Sequence, residues 1–170
     1  MTVTDTEIRD GCAAIAATFE DRRTLRGIAN AVTPSSKWYF LGCGSSYWVA
    51  SAAATSFRGI GCDSTAVTGS AFYFDEYPVD EATAVVAYSQ SGETTETVRA
   101  MEAAAAEGAR TIAITNSAGS TLARTAEQSY VTPSGTEQSV LATKSVDAAM
   151  VASLLLAGAD KLILVPMQSQ

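Results

Sequence analysis

The 170-residue chain contains no histidine, and 47% of its residues are hydrophobic against 17% charged. That excludes a Ser-His-Asp or Cys-His relay, a His-ligated zinc site and a histidine pH switch within the chain. It also marks the sequence as globular rather than disordered. The net charge of -7, from 18 acidic and 11 basic residues, leaves no basic footprint for nucleic acid.

The length suits one domain, which buries enough surface to need no disulfide or metal staple. Cys12, Cys43 and Cys62 are odd in number and show no CxxC spacing, the pattern of a reduced cytoplasmic protein without a disulfide framework. No basic segment followed by an apolar run opens the sequence, so no signal peptide is expected. The longest apolar stretch, around Ala148–Ala157, is too short to span a bilayer.

Taken along the chain, Asp5–Ala31 reads as one helix. Thr4 is its expected cap with Glu7 three residues on, and Ile8, Cys12, Ile15, Phe19, Leu25 and Ile28 lie at helical spacing. Thr33-Pro34-Ser35-Ser36 breaks it. Lys37–Leu41 is a strand, Gly42–Ser46 a glycine- and hydroxyl-rich turn, and Tyr47–Arg58 a helix stopped by Gly59 and Gly61. Asp63–Thr68 is a short strand and Ser70–Glu76 a short helix. Thr83–Tyr88 is β-branched, apolar and continuous, as buried parallel strands are. Ser89–Thr94 is a second hydroxyl-rich turn, followed by a helix over Thr95–Glu107. Then come a strand at Arg110–Thr115, a short helix at Ser120–Ala126 and a strand at Ser129–Thr132. Pro133–Ser139 is a third polar turn, Val140–Ala157 a long helix, and Lys161–Met167 an apolar tail. Strands alternating with helices imply right-handed crossovers, hence an α/β, three-layer αβα sandwich on a parallel sheet of about five strands.

Ligands of such sheets bind beyond the carboxyl ends of the strands. Three turns that follow strands are rich in Ser and Thr, and two of them directly precede helices. Free amides at a helix N-terminus, together with hydroxyls, form an anion cradle without lysine. Each turn taken singly also reads as ordinary helix capping. Neither GxxxxGK[ST] nor a complete GxGxxG is present.

Three segments, Leu41-Gly42-Cys43-Gly44-Ser45-Ser46, Tyr88-Ser89-Gln90-Ser91-Gly92-Glu93-Thr94 and Glu137-Gln138-Ser139-Val140-Leu141-Ala142-Thr143-Lys144, resemble the sugar isomerase (SIS) domain family. The likeness is greatest to the first SIS domain in the isomerase half of the glutamine–fructose-6-phosphate aminotransferases, with fructosamine-type deglycases and tagatose-type ketose isomerases as nearby relatives. It runs from about Trp38 to Ala157 and implies a flavodoxin-like SIS fold. The implied divisions are 1–34 (N-terminal helix and connection), 35–158 (phosphosugar-binding domain) and 159–170 (tail).

The resemblance implies that Ser89, Gln90, Ser91, Thr94 and Ser45 bind a substrate phosphate, and that Cys43, Gly44, Ser46 and Val140 contact the sugar. Lys144 matches the family's Thr-Lys pair and Glu137 a carboxylate at the site's edge, while Ala142 stands where the synthases carry Ser. The implied activity is aldose–ketose isomerisation of a sugar or amino-sugar phosphate such as fructose 6-phosphate or glucosamine 6-phosphate. The alternatives are a non-catalytic binding module, or the first half of a two-SIS isomerase whose Glu, His and Lys lie in the second domain. Glu137 and Glu93 are the candidate bases within this chain. A cytoplasmic homodimer or larger homo-oligomer is expected, with a sugar phosphate as partner and with no cofactor, metal, nucleic acid or membrane.

Overall fold

The computed structural model describes residues 2–75, 77–138 and 142–158. Five strands, β1 (Lys37–Gly42), β2 (Asp63–Thr68), β3 (Thr83–Tyr88), β4 (Arg110–Thr115) and β5 (Gln128–Val131), form one sheet in the order β2-β1-β3-β4-β5, with every neighbouring pair parallel. Among the described residues seven helices accompany them: α1 (Val3–Glu20), α2 (Arg22–Ala31), α3 (Ser45–Gly59), α4 (Gly69–Phe74), α5 (Thr95–Ala106), α6 (Thr121–Thr125) and α7 (Lys144–Leu156).

The alternation of side chains along a strand divides the core in two. Trp38 and Phe40 of β1, with Val86, Tyr88 and Ile114, pack against α2, α3 and α7. Tyr39 and Leu41, with Val85, Ala87 and Ala113, pack against the helices of the other face, where Phe72, Met101 and Leu122 project from α4, α5 and α6. All six residues of β3 are buried, which accounts for its unbroken apolar sequence. A fully buried side chain such as Phe40 or Ile112 contributes about 1.5–3 kcal/mol relative to an exposed one. Trp38, Tyr39 and Phe40 are therefore core residues.

The chain leaves β1 through α3 toward one edge of the sheet and leaves β3 through α5 toward the other. The two helices lie on opposite faces. The crevice between the ends of β1 and β3 is thus a topological switch point, where doubly wound sheets hold their ligands.

Several boundaries differ from the sequence expectation. The expected 5–31 helix is two helices that meet at Asp21, whose amide closes α1 while its carbonyl opens α2. The α1 cap is Thr2 rather than Thr4: the Thr2 hydroxyl accepts the Asp5 amide at 3.2 Å and the Asp5 carboxylate accepts the Thr2 amide at 2.8 Å. Glu7 is turned inward and buried. Helix α3 begins at Ser45, two residues earlier than expected, and α7 begins at Lys144 rather than Val140. Among the described residues no helix is long and apolar enough to cross a membrane. Residues 159–170, which include the expected tail, lie outside the described residues.

Candidate functional site

The β3–α5 turn is tied internally and to its neighbours. Ser89 is 4% exposed, and its amide donates to the Ile114 carbonyl at 3.1 Å. The Ser89 hydroxyl accepts the Gly92 amide at 3.1 Å and lies 3.1 Å from the Thr94 hydroxyl. The Ser91 hydroxyl accepts the Glu93 amide at 3.2 Å. Gly92 has φ +68°, and a Cβ there would overlap the Ser120 side chain, so both the turn conformation and the close approach of α6 require glycine. The Gln90 carbonyl accepts from the Thr115 hydroxyl at 3.2 Å and from the Asn116 amide at 3.0 Å, which fastens the turn to the end of β4.

The β1–α3 turn forms a second wall. A Cβ on Gly42 would collide with the Ser46 backbone, and Gly44, at φ +57° and ψ -128°, occupies a region open mainly to glycine. These glycines bring the first turn of α3 over the end of β1, where Ser45, Ser46 and Val49 line a narrow cleft together with Ser89, Gln90, Ala142 and Ser145. Cys43 is turned toward α5, its Sγ 3.6 Å from the Thr97 hydroxyl. Trp48 faces solvent, 69% exposed, and meets Tyr47 edge-to-face at 5.7 Å.

The third wall runs from the end of β5 into α7. The Thr132 hydroxyl donates to Asn116 Oδ1, and Ser134 donates to the Thr132 hydroxyl at 3.2 Å and the Lys144 carbonyl at 3.4 Å. Asn116 Nδ2 donates to the Gly135 carbonyl at 3.4 Å. Glu137 orders the start of α7: its Oε1 accepts the Thr143 amide at 2.6 Å and the Thr143 hydroxyl at 3.0 Å, and its Oε2 accepts the Ser145 hydroxyl. Burial alone would raise this carboxyl, but the Ser145 hydroxyl and the Thr143 donors outweigh it and hold the group below its ordinary value. Burial, and then the Glu137 charge, raise Asp147 in the first turn of α7.

A wider cleft of about 400 Å³, lined by Gln90, Ser91, Asn116, Ser117, Gly135, Thr136 and Glu137, adjoins the narrow one and shares Gln90 and Asn116 with it. That volume is in the range of small-molecule sites. The fold thus brings Ser45, Ser46, Ser89, Gln90, Ser91 and Glu137 together, with Thr94 held against Ser89. Glu93 is directed elsewhere: its carboxylate accepts the Thr121 amide at 2.8 Å, a bond that, with the Thr121 side chain, lowers its pKa. Val140 lies outside the described residues. Thr115, Asn116, Thr132 and Ser145 were not singled out in the sequence, although Thr115-Asn116-Ser117 is itself a polar run following a strand at this edge. Among the described residues, no cluster of three Asp, Glu or Cys side chains is arranged to hold a metal ion.

A parallel sheet with hydroxyl-lined turns gathered at its switch point defines a ligand-binding α/β domain. The sequence matches the SIS domain over residues 32–159, and the chain belongs to that family. It is 46% identical over 88 residues to a glutamine–fructose-6-phosphate aminotransferase of Symbiobacterium thermophilum, an alignment covering 52% of this chain and 14% of that protein. The C-terminal domain of a glucosamine-fructose-6-phosphate aminotransferase from Francisella tularensis superimposes with a TM-score of 0.80 at 19% identity, over 94% of this chain and 48% of that one. The NanR protein of Vibrio vulnificus, solved in complex with ManNAc-6P, superimposes with a TM-score of 0.73 at 20% identity, over 98% of this chain and 63% of that one. The chain therefore spans a small part of its curated relative, about half of the first solved neighbour and less than two thirds of the second.

Proposed function

We propose that this domain binds a sugar phosphate, with the phosphate at the Ser89–Thr94 turn and the N-terminus of α5, and the sugar extending past Ser45 and Ser46 toward the 132–145 wall. The carrying observation is the convergence of three hydroxyl-rich segments on one crevice at the switch point. Hydroxyls, helix amides and Gln90 supply donors, and no Lys or Arg is among the described residues that line the two clefts, so a chain of net charge -7 holds its anion by short-range hydrogen bonds. Cys43 and Gly44 shape the sugar-side turn.

The activity proposed for the whole site is aldose–ketose isomerisation of a sugar or amino-sugar phosphate, with this domain as its phosphosugar-binding half. Enolisation needs a base at the substrate carbon. Both oxygens of Glu137 are already engaged by donors and its pKa is lowered, so it is a weak base held to order α7. Glu93 is likewise occupied at α6. The base and acid then come from a second domain or a second subunit, and we take the working form to be a homodimer or larger assembly in the cytoplasm.

Titration of the purified protein with fructose 6-phosphate and glucosamine 6-phosphate, followed by NMR, tests both parts. Shifts of the 89–94 amides without C1/C2 proton exchange are expected. Exchange by the chain alone would return Glu137 to the role of base, and absence of binding to either ligand would overturn the reading.

A further inference from the structure

We propose that the N-terminal helix belongs to the binding machinery, and that Glu7 is a positioning residue for the ligand cleft. The family match begins at residue 32, so α1 lies outside it. Glu7 nevertheless reaches the site: it is 4% exposed, and its Oε1 accepts the Gln138 amide at 2.6 Å. Gln138 immediately follows Glu137, the residue that lines the wider cleft and holds the first turn of α7 through Thr143 and Ser145.

Two further features keep α1 in place for this contact. Gly11, one turn beyond Glu7, is packed so closely on α7 that a Cβ would sit 2.6 Å from the Asp147 carboxylate. At the far end, Asp21 accepts the Tyr130 hydroxyl of β5 at 3.1 Å, tying the α1–α2 junction to the strand that leads into the same wall. A carboxylate buried on a helix and joined to a backbone amide of a non-helical segment has a clear physical role. It satisfies an amide that regular structure does not, and in doing so fixes the path of the chain. The relay runs from Glu7 to the Gln138 amide, through the adjacent Glu137 carboxylate, to the α7 N-terminus and Ser145 in the cleft.

The inference rests on the sugar-phosphate reading, and the test separates the two. Fructose 6-phosphate affinity and the hydrogen exchange of the Gln138 amide are measured for the full chain and for the Glu7→Ala, Glu7→Asp, Glu7→Gln and Ile28→Val variants. Glu7→Ala and Glu7→Asp lose or mis-set one charge-assisted bond, so affinity should fall about five- to tenfold with faster exchange at Gln138. Glu7→Gln keeps an acceptor oxygen and should restore both. Ile28→Val trims a buried side chain of α2, which lines neither cleft, and should lower thermal stability while leaving affinity unchanged. If Glu7→Ala fails to fold, Glu7→Asp carries the comparison. Wild-type affinity and exchange in both Ala and Asp variants would overturn the role of Glu7. If the wild-type chain binds no fructose 6-phosphate, the ligand reading fails and the exchange measurement alone decides the positioning claim.

Discussion

The two sides of the cleft are held by different means. The Ser89–Thr94 turn follows the most buried strand, leads directly into α5 and is fixed largely by backbone groups: amides onto hydroxyls, and the Gln90 carbonyl onto β4. Among its described residues the 132–145 wall has no helix or strand before α7, and it is secured there by side chains, chiefly Glu7, Asn116, Ser134 and Glu137. On the proposed function, the site pairs a preformed anion cradle with a wall whose position depends on a few carboxylate bonds. Preformed donors cost little ordering on binding, whereas a tethered wall can adjust to the ligand.

The sharpest break in that comparison is Gly92→Ala. The added Cβ meets Ser120 and the positive φ is lost, so the preformed side should distort. The expected cost is about 1–3 kcal/mol of stability, with loss of ligand binding, read by thermal melting and calorimetry. Next is Ser89→Ala, which removes the hydroxyl shared by Gly92 and Thr94. Hydrogen bonds to charged groups are worth about 1.5–3 kcal/mol, so affinity for fructose 6-phosphate should fall roughly ten- to a hundredfold.

On the tethered side, Glu137→Gln should act through pH. A carboxyl whose folded pKa is lowered stabilises the fold above its unfolded value, and that contribution is lost as pH falls through the folded value. The wild type should therefore lose stability on acidification below about pH 4.5 more steeply than Glu137→Gln, as thermal melts against pH will reveal. The smallest effect belongs to Glu93→Gln, which removes the charge at the start of α6 but leaves the cleft lining intact. Thermal melts should show only a slight loss of stability, with unchanged ligand affinity, and a large loss of affinity would return Glu93 to the site.

Much of this arrangement was legible in the residues. The continuous Thr83–Tyr88 run, the glycine stops and the hydroxyl turns after strands placed the sheet and two walls of the cleft, because buried parallel strands and positive-φ turns leave strong local signatures. What escaped was non-local. The apolar spacing across Asp21 is continuous, so the α1–α2 break was silent. Glu7 has the spacing of a capping residue, and only the packing of α1 beside α7 turns it toward Gln138. The roles of Glu93 and Glu137 depend on Thr121, Thr143 and Ser145, partners that spacing alone does not single out.

A phosphate cradle at the Ser89–Thr94 turn is what the proposed function requires. Calorimetric titration of the wild-type chain and Ser89→Ala with fructose 6-phosphate, and with fructose as the unphosphorylated control, tests it most directly. The phosphate ester alone should bind, with affinity weakened roughly ten- to a hundredfold by the substitution. Equal affinity for fructose and its phosphate, or equal affinity of the two proteins, would contradict it.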